Sequence, residues 1–533
     1  MRTPGARTFL FTSMALLAAC GTGASTAPDG GARRDDGGTR DDGGTPDSGT
    51  SGSDAGPPIV REVPRAVAVA RATEIPRCTL HVDAASSDGD GTAASPYPTI
   101  GGAVAAASDG AVICVAEGVY RETLAPGDVA LTLAGGFRSG QGFTVRDSSR
   151  YVSRAQGDGT GSFVRIDGEL APRDEELTAI DGFEITGYER GVVRDTYFSQ
   201  RFSLTNSYIH DNHCPPGREL GGGFVLRNVS GTVAGNVVAD NSCGLGGGGA
   251  IIEDPPLEHA VTVERNRFEA NEGDDADCHG GGLFLVITEL TVRANDFVAN
   301  RCASWGAGLY VGAVPPQRTR ARIEWNVYRE NRAGIAGGGF FCDDGATCAS
   351  DHEILDGNCG GNVLLDSGTA ATIASFDHMT NHGAREVGCG APGAGVIVNK
   401  TGDTADAYTI TSSAFWANGD DLAAFCDDGC AALGIAVTYS ALRLTNAGNA
   451  TVSFGEGNLD AADPRFVDAS GGDFHLRSTR GHWSPEGYVA DDADSPALAS
   501  GDPSGDTRQQ PERAGERTEM GVYGNSAEAS YVR

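Results

Sequence analysis

Along the middle of the chain, apolar and polar positions alternate in short runs broken by glycine, asparagine and aspartate, and the runs recur. Asn236-Val-Val-Ala-Asp-Asn241, Asn266-Arg-Phe-Glu-Ala-Asn271, Asn295-Asp-Phe-Val-Ala-Asn300 and Asn326-Val-Tyr-Arg-Glu-Asn331 align, and Ser207-Tyr-Ile-His-Asp-Asn212 fits with serine first. The terminal asparagines are 29, 30, 29 and 31 residues apart. Each is followed by a glycine cluster and an apolar pair, as in Gly221-Gly-Gly-Phe224, Gly280-Gly-Gly-Leu283 and Gly337-Gly-Gly-Phe340. A third apolar piece precedes each first asparagine, as in Thr232-Val233, Thr262-Val263, Thr291-Val292 and Arg322-Ile323. One period therefore holds three short strands and no helix. Units of this size cannot bury their apolar faces alone and must stack.

The pattern predicts an all-β fold, a right-handed parallel β-helix with three strands per coil and about 30 residues per coil. Successive coils lie about 4.8 Å apart, so equivalent side chains sit over one another. Val233, Val263, Val292 and Ile323 are expected to form one inward column, and Ile209, Val238, Phe268, Phe297 and Tyr328 another. The asparagines are expected to take the corner dihedrals and to bond from coil to coil. The glycine triplets allow positive φ where a strand leaves a corner. They lack the strand-to-helix setting of a phosphate loop, which excludes a nucleotide site.

Composition narrows the picture. Glycine numbers 78, and Lys400 is the only lysine, which makes helical bundles poor candidates. The net charge of −32 argues against nucleic acid or an anionic membrane surface as partner. At the N-terminus, Arg2 and Arg7 precede the apolar stretch from Phe9 to Ala19, as in a secretory signal. Leu17-Ala18-Ala19-Cys20 resembles the lipobox of bacterial lipoproteins, which implies a signal peptide over 1–19 and lipidation at Cys20. Gly21, by analogy with lipoprotein sorting, fits the outer membrane, and no later segment has the length and apolarity of a membrane helix, so the expected contact with a membrane is the lipid alone. Residues 20–58, rich in Gly, Asp, Ser and Thr with Arg-Asp-Asp-Gly-Gly-Thr twice, are expected to be a disordered tether.

The stretches Gly248-Gly-Ala250, Gly281-Gly-Leu283, Phe268-Glu-Ala-Asn271, Phe297-Val-Ala-Asn300 and Phe415-Trp-Ala-Asn418 resemble the repeats of the polymorphic outer-membrane proteins and related secreted β-helix proteins. That family ends in a membrane β-barrel, for which no stretch of this chain matches. Residues 59–137 are similar to the opening cap of extracellular β-helix proteins, with a short helix at about 98–108, and 471–533 to a closing segment. The coils are then expected over 138–470. Counting 78–470 at the repeat length gives roughly 13 coils and a rod near 60 Å.

Thirteen cysteines, less Cys20, leave an even number in an exported chain. Cys214 and Cys243 occupy the same turn on adjacent coils, within disulfide range, and Cys278 and Cys302 fall in the next two copies. The expected pairs are Cys214–Cys243, Cys278–Cys302, Cys78–Cys114 and Cys426–Cys430, with Cys342, Cys348, Cys359 and Cys389 pairing in an open order. The rival, a metal site at these thiols, is disfavoured because the thiols spread along the rod.

Candidate chemistry is sparse. A polyuronate lyase needs a basic residue, for which Lys400 is the candidate; a hydrolase needs carboxylates within about 5–10 Å. Asp343 with Asp344, and Asp420 with Asp421, are the acidic pairs nearest that need, with His378 and His382 close in sequence. Phe341-Cys-Asp-Asp-Gly345 and Phe425-Cys-Asp-Asp-Gly429 match each other, which equally suits one disulfide-bearing turn used twice. Asp83, Asp88 and Asp90 are the candidates for Ca²⁺, although no Glu stands at the spacing of an EF-hand loop. No other cofactor is expected. The function expected is a non-catalytic binding, adhesion or envelope module facing glycans or surface partners. The alternative is a polysaccharide lyase or glycoside hydrolase with its site near 342–430.

Overall fold

The structure is a computed structural model that describes residues 69–532, except 169–172, 216, 218, 255–257, 314–317, 390–392, 403, 427–433 and 451. The expected signal peptide, Cys20, the tether and Cys430 lie outside the described residues.

The chain winds as a parallel β-solenoid with three long sheets, of 14, 13 and 11 strands. One winding contributes Ala260–Glu264 to the first sheet, Arg267–Glu269 to the second and Leu283–Val286 to the third. A short fourth sheet, from Ser242–Cys243 to Arg332–Ala333, fills the turn between the second and third. Eleven windings are complete among the described residues, fewer than the thirteen expected, because the windings at each end have no strand in the third sheet. The expected cap helix is Ile100–Ala106, with the Thr99 side chain accepting from Gly102 N. Among the described residues no helix is long and apolar enough to cross a membrane.

The register is the expected one. Val233 pairs with Val263, Val263 with Val292 and Val292 with Ile323. In the second sheet Ile209, Val238, Phe268, Phe297 and Tyr328 follow each other and are buried. The rings of Phe268 and Phe297 stack at 5.1 Å, as do those of Phe297 and Tyr328.

Both corners of the second sheet carry asparagine ladders. The Asn300 Nδ2 donates to Phe268 O (2.8 Å) and Asn331 Oδ1 (3.0 Å), while Asn300 Oδ1 accepts from the main-chain N of Asn271 (3.1 Å). Positive φ, however, falls on the residue before each asparagine: Arg265, Ala294 and Trp325 at one corner, Ala270, Ala299 and Glu330 at the other. The asparagine itself turns inward to satisfy buried main-chain groups, and the strain is taken one residue earlier. At Gly282 the chain has no room for a side chain, since a Cβ would lie 2.6 Å from Gly308 O.

Among the described residues, five disulfides join Cys78–Cys114, Cys214–Cys243, Cys278–Cys302, Cys342–Cys348 and Cys359–Cys389. The second and third are the pairs expected from register, the first is the one expected to tie the cap, and the last two settle the order left open. They point to an oxidising, extracytoplasmic compartment.

The last segment runs back along the flank as well as closing the end. Phe466, Phe474, Met520, Val522 and Tyr523 pack with Ile354, Ala414 and Ala441 of the second sheet. Val522 N donates to Thr380 Oγ1 (3.0 Å), and Gly521 N to Ser412 O (2.7 Å).

Candidate functional site

The expected catalytic residues occupy three separate places. Asp343 and Asp344 follow the third-sheet strand Phe340–Cys342, and Lys400 ends the third-sheet strand Ala394–Lys400 two windings on. Asp420 and Asp421 start the next third-sheet strand, Asp420–Cys426. His382 lies in the second sheet.

Most of them are held by neighbours. Asp344 accepts from Gly368 N, Thr369 N and Ala370 N, and so fixes the following turn. Lys400 Nζ lies 3.0 Å from Asp406 Oδ2 in a nearly enclosed ion pair and donates to Thr404 O. Asp421 is buried and accepts from Asn418 Nδ2 (3.1 Å) and Arg443 N (2.8 Å), whereas Asp420 is exposed. His382 Nδ1 sits 2.9 Å from Asp356 Oδ1.

Beside Asp343 lies a strongly perturbed carboxyl that the sequence does not single out, Asp366. Asp366 follows Leu365, which pairs with Cys342, so Asp366 and Asp343 are neighbours across one winding step. Tyr310 Oη donates to Asp343 Oδ2 (2.7 Å), and Asn399 Nδ2 to Asp366 Oδ1 (2.5 Å). Burial, then the adjacent Asp343 carboxyl, pushes Asp366 up to about 7, against the hydrogen bond from Asn399. Burial also raises Asp343, against the hydrogen bond from Tyr310. Asp366 was invisible as a partner because it is a lone aspartate whose neighbour comes from the previous coil.

The calcium candidates do not gather round one point. Asp83 is buried and accepts from Ser139 Oγ (2.8 Å), Asp90 Oδ1 accepts from Thr92 Oγ1 (2.8 Å), and Asp88 is exposed. Histidines do come together: His352 and His378 share one corner on adjacent windings, their rings 4.9 Å apart.

An open cleft of about 460 Å³ lies where the returning segment meets the second sheet. It is lined by Trp416, Phe466 and Ala469, with Asp463, Arg465, Arg477 and Asp492. Trp416 is half-buried, with Asp463, Arg465 and Asp492 exposed around it. Arg465 Nη1 donates to Asp494 O (2.7 Å), and Arg477 Nη1 lies 3.5 Å from Asp492 Oδ1, so both guanidiniums are oriented. In the sequence Trp416 stands out only as part of a repeat motif, since its cleft forms with a segment some fifty residues further along the chain.

Residues 173–313 match the family described as right-handed β-helix region, and 438–501 match one described as disaggregatase related. No curated protein matches the chain significantly. Solved structures similar to it include XylC in complex with xylose, 11% identical, covering 73% of this chain and 87% of XylC with a TM-score of 0.41. Pectate lyase Pel9A is 12% identical, with 83% and 96% covered and a TM-score of 0.33. ORF18 of Geobacillus virus E2 is 13% identical, with 62% of each chain covered and a TM-score of 0.27.

Proposed function

We propose that the chain is an exported β-helix protein, lipid-anchored at Cys20, that holds an extracytoplasmic glycan or glycan-bearing surface without cleaving it. The cleft beside Trp416 carries this reading. An indole face packs against the C–H face of a sugar ring, while oriented guanidiniums and carboxylates bond its hydroxyls. Of the groups with catalytic chemistry, Asp420, Asp421 and His382 lie apart from Asp343, Asp344 and Lys400, and several of them fix turns. The anchor rests on Leu17-Ala18-Ala19-Cys20 and on the oxidising compartment that the disulfides imply.

Co-sedimentation with insoluble polysaccharides tests the binding. Trp416→Ala is expected to weaken retention at least about tenfold, the scale of one lost aromatic anchor. Retention that survives this change on every polysaccharide bound would sink the cleft as the site. Incorporation of labelled fatty acid, abolished in Cys20→Ala, tests the anchor.

A second reading has one observation in its favour. Asp366 is poised to be a neutral carboxyl near pH 7, as the general acid of a hydrolase is. Lys400, clamped to Asp406, is less suited to act as a lyase base.

A further inference from the structure

The winding repeats an Asp-His dipeptide once: Asp351-His352 and Asp377-His378 are paired in register, Asp351 opposite Asp377, at the corner between the first and second sheets. Both histidines have positive φ, which turns their rings to the same side, and both are buried, at 5% and 4% exposed. Trp325, one winding earlier, stacks on His352 with centroids 4.0 Å apart.

The donor atoms of this corner are arranged awkwardly for a protein alone. His352 Nε2 lies 2.6 Å from Gly524 O. A carbonyl only accepts, so Nε2 carries the proton and, in a neutral ring, Nδ1 presents a lone pair. That Nδ1 is 2.7 Å from Asp351 Oδ1, yet neither atom has a hydrogen-bond partner. His378 Nδ1 lies 3.7 Å from the same oxygen and 3.2 Å from Asp377 Oδ1, and neither of its ring nitrogens has a hydrogen-bond partner. These contacts are closed either by protons on the two imidazoles, held by Asp351 and Asp377, or by one cation shared among the donor atoms.

We infer that Asp351, His352 and His378, with Asp377 at the rim, form a binding site for a divalent transition-metal ion, Zn²⁺ fitting best. The donor atoms of Asp351, His352 and His378 lie within 4.8 Å of one another. Tetrahedral zinc with bonds of about 2.0–2.2 Å separates its ligands by roughly 3.3 Å; Asp351 Oδ1 lies 2.7 Å from His352 Nδ1 and 3.7 Å from His378 Nδ1, either side of that value. Two imidazoles with carboxylates suit zinc and its late first-row neighbours, and disfavour Ca²⁺, which takes oxygen alone. The Asp351 and Asp377 side chains are 44% and 50% exposed and give the ion a way in. The hydrogen bond from His352 Nε2 to Gly524 is the outer support such ligands need. Gly524 is fitted to the place, since a Cβ there would lie 2.2 Å from His378 Cδ2. Bound metal would thus join two windings and pin the returning segment to them.

The test is titration of the intact, chelator-treated protein with Zn²⁺ and, for its spectrum, Co²⁺. One equivalent is expected to bind, Co²⁺ giving the strong visible bands of four-coordinate N/O ligation, and the melting temperature to rise with metal concentration. His352→Gln and His378→Gln should each weaken binding by about 100-fold or more. Asp377→Asn, a change at an exposed carboxylate that leaves the fold intact, should weaken it about tenfold. Absence of stoichiometric uptake, with the corner holding protonated imidazoles only, overturns the inference. So does uptake that persists in the His352→Gln, His378→Gln double variant while its circular dichroism is unchanged.

Discussion

Windings 207–331 and 340–443 share one backbone and differ in what holds their corners. In the earlier region each step is 29–31 residues, and asparagine bonds to asparagine from Asn212 through Asn241, Asn271 and Asn300 to Asn331. In the later region Tyr328 pairs with Leu355, Leu355 with Asn381 and Asn381 with Phe415, steps of 27, 26 and 34 residues. There the first-corner ladder ends: Glu353 takes the place after Asn326, its carboxyl raised well above the usual carboxylate range by burial, and Met379 N bonds to Ser413 instead. The same windings carry the Asp343–Asp366 pair, the Lys400–Asp406 ion pair and the Asp-His corner. A uniform repeat satisfies its buried groups with one neutral amide used many times. Where the step changes, each position finds its own partner, and titratable groups enter.

Substitutions that remove the same kind of group from each region should separate them, the largest effect coming from the uniform stack. Phe297→Ala, between Phe268 and Tyr328, should cost about 4 kcal/mol in chemical denaturation, from lost burial and the cavity left in a column that cannot collapse. Asn300→Ala should follow at about 3 kcal/mol, since it strands Phe268 O and the Asn271 main-chain N–H in the interior. Asn418→Ala, whose amide serves Asn381 O, Asp421 and Ala384 N among less regular neighbours, should cost about 1–2 kcal/mol by the same measurement.

Asp366 offers a comparison by pH. Its carboxyl is raised from 3.8 to about 7 in the fold, so it contributes stability that is full below pH 4 and lost as pH rises through 7. Wild type should therefore lose on the order of 1–3 kcal/mol between pH 5 and 8 that Asp366→Asn does not lose, visible as a flatter melting profile. Asp420→Asn, exposed, should stay within about 0.5 kcal/mol of wild type.

Much of the fold could be read from spacing because each column repeats its residue type: Val233, Val263 and Val292, or Phe268 and Phe297, announce their stacking. Cys214 and Cys243 paired on the same logic. The sites could not be read this way. Asp366 meets Asp343, and His378 meets His352, only after the step has shortened to 23 and 26 residues, so a fixed period of thirty places neither pair together. Trp416 gains its cleft from Asp463, Arg465 and Arg477, in a segment whose return along the flank no repeat encodes. Lys400 stands out in the sequence as the only lysine, whereas its ion pair with Asp406 is not legible there.

The most direct test of the functional account is incubation of the intact protein with a panel of neutral and acidic polysaccharides, followed for both retention and release of reducing or unsaturated ends. Retention that depends on Trp416, with no product released, is the predicted result. Product release that disappears in Asp343→Asn, Asp366→Asn or the Asp420→Asn, Asp421→Asn double variant would contradict it and place an active centre among the later windings.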